Sequence, residues 1–93
     1  MDKNVRARAI ISGRVQGVFF RMETHRAAKR YGVFGWVINR RDGTVEALFE
    51  GDKKCVESIL QWCKKGPPHS KVKDIKVSWD TYSGEFTQFE IRY

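Results

Sequence analysis

The chain has 93 residues and a formal charge of +7, from 18 Lys and Arg against 11 Asp and Glu. This length suits one domain, residues 1–93, with a modest core. No run approaches the roughly 20 apolar residues of a membrane-spanning helix, so no membrane partner is expected.

The net charge favours anionic partners without choosing among nucleic acid, anionic lipid and small phosphorylated ligands. The opening stretch, MDKNVRARAII, has basic residues but neither an apolar segment nor a small-residue cleavage site. No leader is read there, and a cytoplasmic protein is expected.

A first strand is expected over residues 6–13, where Ala7, Ala9 and Ile11 alternate with Arg6, Arg8, Ile10 and Ser12. A loop over residues 14–20 leads into a helix over 21–31, which Gly32 stops. A second strand over residues 34–40 and a third over 44–50 flank Arg41, Asp42 and Gly43, a strong hairpin signal. Gly51 is expected to end the third strand, and Asp52 is a good cap for a second helix. Val56, Ile59, Leu60 and Cys63 form one apolar stripe on that helix. Gly66 stops it, and Pro67 and Pro68 prevent its resumption.

A fourth strand carries Ile75, Val77 and Trp79 in alternation, and a short closing strand carries Phe89, Ile91 and Tyr93. The order is βαββαβ plus one strand. That pattern predicts an α+β, ferredoxin-like sandwich: an antiparallel sheet with two helices on one face and a short extra C-terminal strand.

Cys55 and Cys63 fall in the same predicted helix. At 1.5 Å per residue their Cα atoms stand about 12 Å apart, beyond the ~7 Å reach of a disulfide. No His or Cys cluster accompanies them, so no metal site is expected.

The chemistry concentrates in GRVQGVFFR, residues 13–21. The second helix has Asp52 at its start, whereas Val18, Phe19 and Phe20 offer the first helix no capping acceptor. Its first-turn N–H groups still need partners. Water meets that need in an ordinary tight loop. A bound anion meets it better, because the helix N-terminus carries partial positive charge. Arg21 adds a full charge there, unfavourable for an empty helix and favourable beside a phosphate it can grip with two N–H groups. Gly13 and Gly17 allow the backbone amides to turn inward. A nucleotide P-loop is excluded, since Gly17 precedes Val18 and Phe19 rather than Lys and Ser or Thr.

GRVQGVFFR resembles the signature loop of the acylphosphatase family. A second stretch, GWVINRRDGTVEALFEG, residues 35–51, resembles that family's other motif, and GPPHSKV after the second helix extends the likeness over nearly the whole chain. One departure is Ile38, at a position more often polar or basic in the family.

The resemblance implies hydrolysis of the carboxyl–phosphate bond of acyl phosphates, with no metal and no cofactor. It assigns phosphate binding to Arg14, Val15, Gln16, Gly17, Val18, Phe19 and Phe20, together with Arg21. It makes Arg21 and Asn39 the catalytic pair, with Asn39 orienting the attacking water. The partners it implies are a small-molecule acyl phosphate and inorganic phosphate as product or inhibitor.

The expected topology supports that pairing. The first and second strands run parallel with one strand between them, so their C-terminal ends share an edge about 10 Å apart.

His25, His69 and Glu23 read as surface or helix residues, Asp42 as turn chemistry, and Trp36, Trp62 and Trp79 as packing. Two rival functions fit the sequence less well. A nucleic-acid-binding domain of this fold wants aromatics and cations on its third strand, which here reads TVEALFE with Glu46 and Glu50, so no nucleic-acid partner is expected. A phosphate sensor without turnover would not need Asn39. A monomer is the expected state for so small a domain.

Overall fold

The computed structural model describes residues 3–93; Met1 and Asp2, part of the stretch read for a leader, lie outside it. The elements are β1 (Asn4–Arg14), α1 (Phe20–Tyr31), β2 (Phe34–Asn39), β3 (Val45–Asp52), α2 (Lys53–Lys65), β4 (Lys71–Asp80) and β5 (Phe89–Arg92). No described helix is long and apolar enough to cross a membrane.

The strands form one sheet in the order β4-β1-β3-β2-β5. Alternation sorts the two faces. Ala7, Ala9 and Ile11 of β1 and Val45, Ala47 and Phe49 of β3 are buried under the helices. Val56, Ile59, Leu60 and Cys63 of α2 close the same core, as their spacing predicts. Burial pushes the Cys63 thiol far above its ordinary pKa. Both helices therefore cover one face, as expected for a ferredoxin-like α+β sandwich.

The sheet departs from the expected antiparallel pattern at one edge. β1 pairs antiparallel with β3 and β4, and β2 antiparallel with β3, but β5 joins β2 in parallel. The reason lies in residues 81–88. β4 ends beside Arg6, where β1 begins, and β5 starts beside Gly35, where β2 begins. A crossing along one end of the sheet leaves only the parallel direction for β5.

Glu50 holds that crossing. It is 1% exposed. Its carboxylate accepts hydrogen bonds from Ser83 N (2.8 Å), Ser83 Oγ (3.0 Å) and Gly84 N (3.1 Å), and it faces Arg6 Nε at 3.6 Å. A buried carboxylate persists when it is paired and hydrogen-bonded in this way.

The element ends shift slightly from expectation. β3 runs past Gly51, which pairs with Val5, because the ladder to β1 continues through Asp52. Asp52 also caps α2, accepting from Lys54 N at 3.2 Å. Trp62 packs on Phe20, with ring centroids 5.9 Å apart. Trp79, expected to pack, is instead 53% exposed. It sits on the edge strand β4, beside the outer flank of α2 rather than beneath it.

Candidate active site

The parallel directions of β1 and β2 bring both C-terminal ends to one edge of the sheet. The segment between β1 and α1 curls over that edge. Val15, Val18 and Phe20 are buried and fasten it to the core. Between them Gly17 (φ 74°) and Phe19 (φ 62°) adopt left-handed backbone. Glycine meets this at no cost, whereas a phenylalanine there is strained. Phe19 is nevertheless the residue that enters α1, with no side-chain cap on the helix and its own ring 71% exposed. Among the described residues, the N–H groups of residues 16–19 find no protein acceptor. Such a run of unpaired amides with left-handed residues is an anion-binding concavity.

Arg21, in the first turn of α1, points along the same edge toward β5. Its Nη1 donates to the Arg92 carbonyl oxygen at 2.9 Å, and its guanidinium lies 4.7 Å from the centroid of the Tyr93 ring. Arg92 in turn stacks its own guanidinium over Trp36 at 5.1 Å. Arg21 forms no ion pair among the described residues. The guanidinium is therefore oriented but not neutralised.

Asn39 closes β2. Its Oδ1 is buried and has no hydrogen-bond donor among the described residues. A buried acceptor without a partner is uncommon and asks for an explanation.

These groups face one cleft of about 290 Å³, lined by Val15, Gly17, Phe19, Phe20, Arg21, Met22, Asn39, Ile91 and Tyr93. Among the described residues, Arg21 brings the one charged side chain to that lining. The cleft thus gathers Arg21, Asn39 and four of the seven loop residues expected to bind phosphate.

The other three lie elsewhere. Arg14 and Val18 line a neighbouring depression with Pro67, Pro68 and His69. Gln16 lines neither space; its side chain reaches the β2–β3 turn. That turn is held by Asp42, which accepts from Thr44 Oγ1 (2.6 Å) and Thr44 N (3.0 Å). The bond from the Thr44 hydroxyl, chiefly, keeps the Asp42 pKa below its ordinary value.

Sequence reasoning missed Met22, Ile91, Tyr93 and the Arg92 carbonyl. The closing alternation of Phe89, Ile91 and Tyr93 signals a strand, but nothing local says that this strand lies against α1. No cluster of three or more His, Cys, Asp or Glu able to hold a metal ion occurs among the described residues.

The acylphosphatase family model matches residues 7–91, which include both motif stretches. The chain belongs to the acylphosphatase family. It is 50% identical to an acylphosphatase of Pelotomaculum thermopropionicum, over 95% of this chain and 96% of that protein. It is 51% identical to an acylphosphatase of Pyrobaculum islandicum, over 96% of this chain and 95% of that one. The crystal structure of an acylphosphatase from Bacillus subtilis superimposes with a TM-score of 0.92 at 40% identity, covering 96% of this chain and 99% of that chain. Membership makes this chain a hydrolase. The family model's match ends at Ile91, just before Arg92 and Tyr93, which contact Arg21.

Proposed function

We propose that the protein hydrolyses acyl phosphates to a carboxylate and inorganic phosphate, without a metal ion or other cofactor. The observation that supports this most directly is the convergence on one cleft of Gly17 and Phe19, whose amides are unpartnered, with an unneutralised arginine and an unpartnered amide oxygen.

The phosphoryl oxygens enter the loop, where the backbone N–H groups of residues 15–20 receive them. Among the described residues, Arg21 spends one of its five N–H donors, on Arg92, which leaves enough for a two-point grip. Asn39 Oδ1 accepts one O–H of a water and aims the water's lone pair at phosphorus. The water oxygen bonds to phosphorus as the bond to the acyl oxygen breaks.

No general acid is required. The leaving carboxylate is the base of an acid with a pKa of about 4, so it departs unprotonated at neutral pH. The water's proton passes to a phosphate oxygen. Positioning and charge stabilisation supply the rest. Phe19, Met22 and Tyr93 form the outer wall, on which the acyl group rests.

Two free thiols suit a reducing compartment such as the cytoplasm.

The test uses benzoyl phosphate with EDTA present, beside Arg21→Gln and Asn39→Ala. The parent turns over, and each variant loses at least about 100-fold in kcat. Arg21→Gln also weakens inhibition by inorganic phosphate, which Asn39→Ala largely spares. Undiminished turnover in either variant removes that residue's role, and an absolute need for added metal ends the reading.

A further inference from the structure

Gln16 interrupts the phosphate loop, yet its side chain turns away from the cleft that Val15 and Gly17 line on either side of it. Both protons of its amide are committed. Nε2 donates to the Arg40 carbonyl oxygen at 2.8 Å and to the Thr44 carbonyl oxygen at 2.9 Å. Those carbonyls close the β2–β3 turn. Arg40 N donates to Thr44 O at 2.8 Å, and Gly43 N to Arg40 O at 3.3 Å. Arg40 directly follows Asn39, and the last rung of β2 on β3 pairs Asn39 with Val45. One side chain therefore ties the loop to the peptide next to the water-orienting residue.

The remaining polar atom of Gln16 is an acceptor oxygen, which repels a phosphate rather than binding it. The side chain is not built to hold substrate. Among the described residues, its two donated bonds are the hydrogen bonds that join the loop directly to the end of β2.

We propose that Gln16 is a positioning residue: its side-chain amide fixes Asn39 relative to the loop amides and Arg21, and its contact with phosphate is confined to its backbone N–H. This rests on the reading of the cleft given above. A misplacement of about 1 Å between reacting groups costs on the order of 100-fold in rate. A brace of two hydrogen bonds at this place therefore acts on kcat more than on ligand affinity.

The experiment compares Gln16→Met, which keeps length and loses both donors, with Gln16→Glu, which sets a carboxylate against two carbonyl oxygens. Benzoyl phosphate turnover, inhibition by inorganic phosphate and melting temperature are measured for each, alone and with Asn39→Ala. Gln16→Met is expected to lower kcat at least about 10-fold while phosphate inhibition changes less than about 3-fold, and Gln16→Glu to lower kcat further. In the Asn39→Ala background, Gln16→Met costs less than about 3-fold, because the residue it positions is gone.

An unchanged kcat overturns the proposal. So does an equal loss with and without Asn39, which marks a general effect on the fold. A parallel fall in kcat and phosphate affinity overturns it as well, by making Gln16 a phosphate ligand. A parent that hydrolyses no acyl phosphate refutes the activity instead. The brace is then judged by NMR: Gln16→Met must shift the Asn39 side-chain amide signals and the amides of residues 16–19, and unmoved signals overturn it.

Discussion

Replacing Glu50 with alanine asks whether one buried carboxylate keeps the last strand in place. The side chain touches three donors from Ser83 and Gly84 and faces Arg6, with 1% of its surface exposed. Breaking a buried ion pair costs about 3–5 kcal/mol. The lower end applies here for two reasons. Arg6 keeps a second partner, Glu85, at 3.4 Å, and Ser83 and Gly84 lie at the surface, where water replaces the lost acceptor. A loss of about 3 kcal/mol lowers the melting temperature of a domain this size by roughly 12–24 °C. The damage is also local at first: hydrogen exchange accelerates in β5 before it does in β1 and β3. Circular dichroism and exchange mass spectrometry read the two effects. A fall of less than about 4 °C, or unaltered exchange in β5, refutes the reasoning and shows that residues 81–88 are held by something else.

Tyr93→Ala removes the ring under Arg21. An exposed cation–π contact of about 0.5–1 kcal/mol predicts a 2- to 5-fold weaker inhibition by phosphate, read by competition kinetics. Gly35→Ala brings a Cβ to 1.8 Å from the Leu48 carbonyl oxygen at a φ of 137°, so it costs at least about 3 kcal/mol in urea unfolding. The Asp42 carboxyl titrates below the ordinary 3.8, by NMR, because its charged form accepts from Thr44. The stability this contributes is present above the unfolded value and fades as pH falls through the lower folded one. Cys63 resists a thiol reagent in the folded protein while Cys55 reacts, and both react in denaturant. The stability held by the protonated Cys63 thiol is complete below the unfolded value of 9.0 and declines above it, because only the unfolded chain ionises there.

Local pattern accounts for much of the fold. The stripe on α2, its Asp52 cap and the hairpin at Asp42 and Gly43 are contacts within a few residues, where side-chain period and turn chemistry decide the outcome. The placement of β5 is different. It follows from Glu50 meeting Ser83, 33 residues later, a contact that leaves no short-range mark. Trp79 reads as core because it is large and alternates correctly, but its strand lies at the edge of the sheet, and alternation does not report that.

The site divides in the same way. An uncapped helix start with an arginine is visible in GRVQGVFFR, and Asn39 is visible through its motif. Gln16 reads locally as one more loop residue, since its partners lie 24 and 28 positions away. The carbonyl that orients Arg21 is 71 positions away.

Phe19 has one more consequence. A left-handed backbone at a bulky residue costs on the order of 1–2 kcal/mol, and glycine there would recover it. The same bend helps turn the loop amides toward the cleft, and the exposed ring forms part of its wall. A laboratory screen for heat tolerance alone would favour glycine at position 19, while a screen for turnover would retain the aromatic ring. Variants evolved under the two pressures should part company at this residue first.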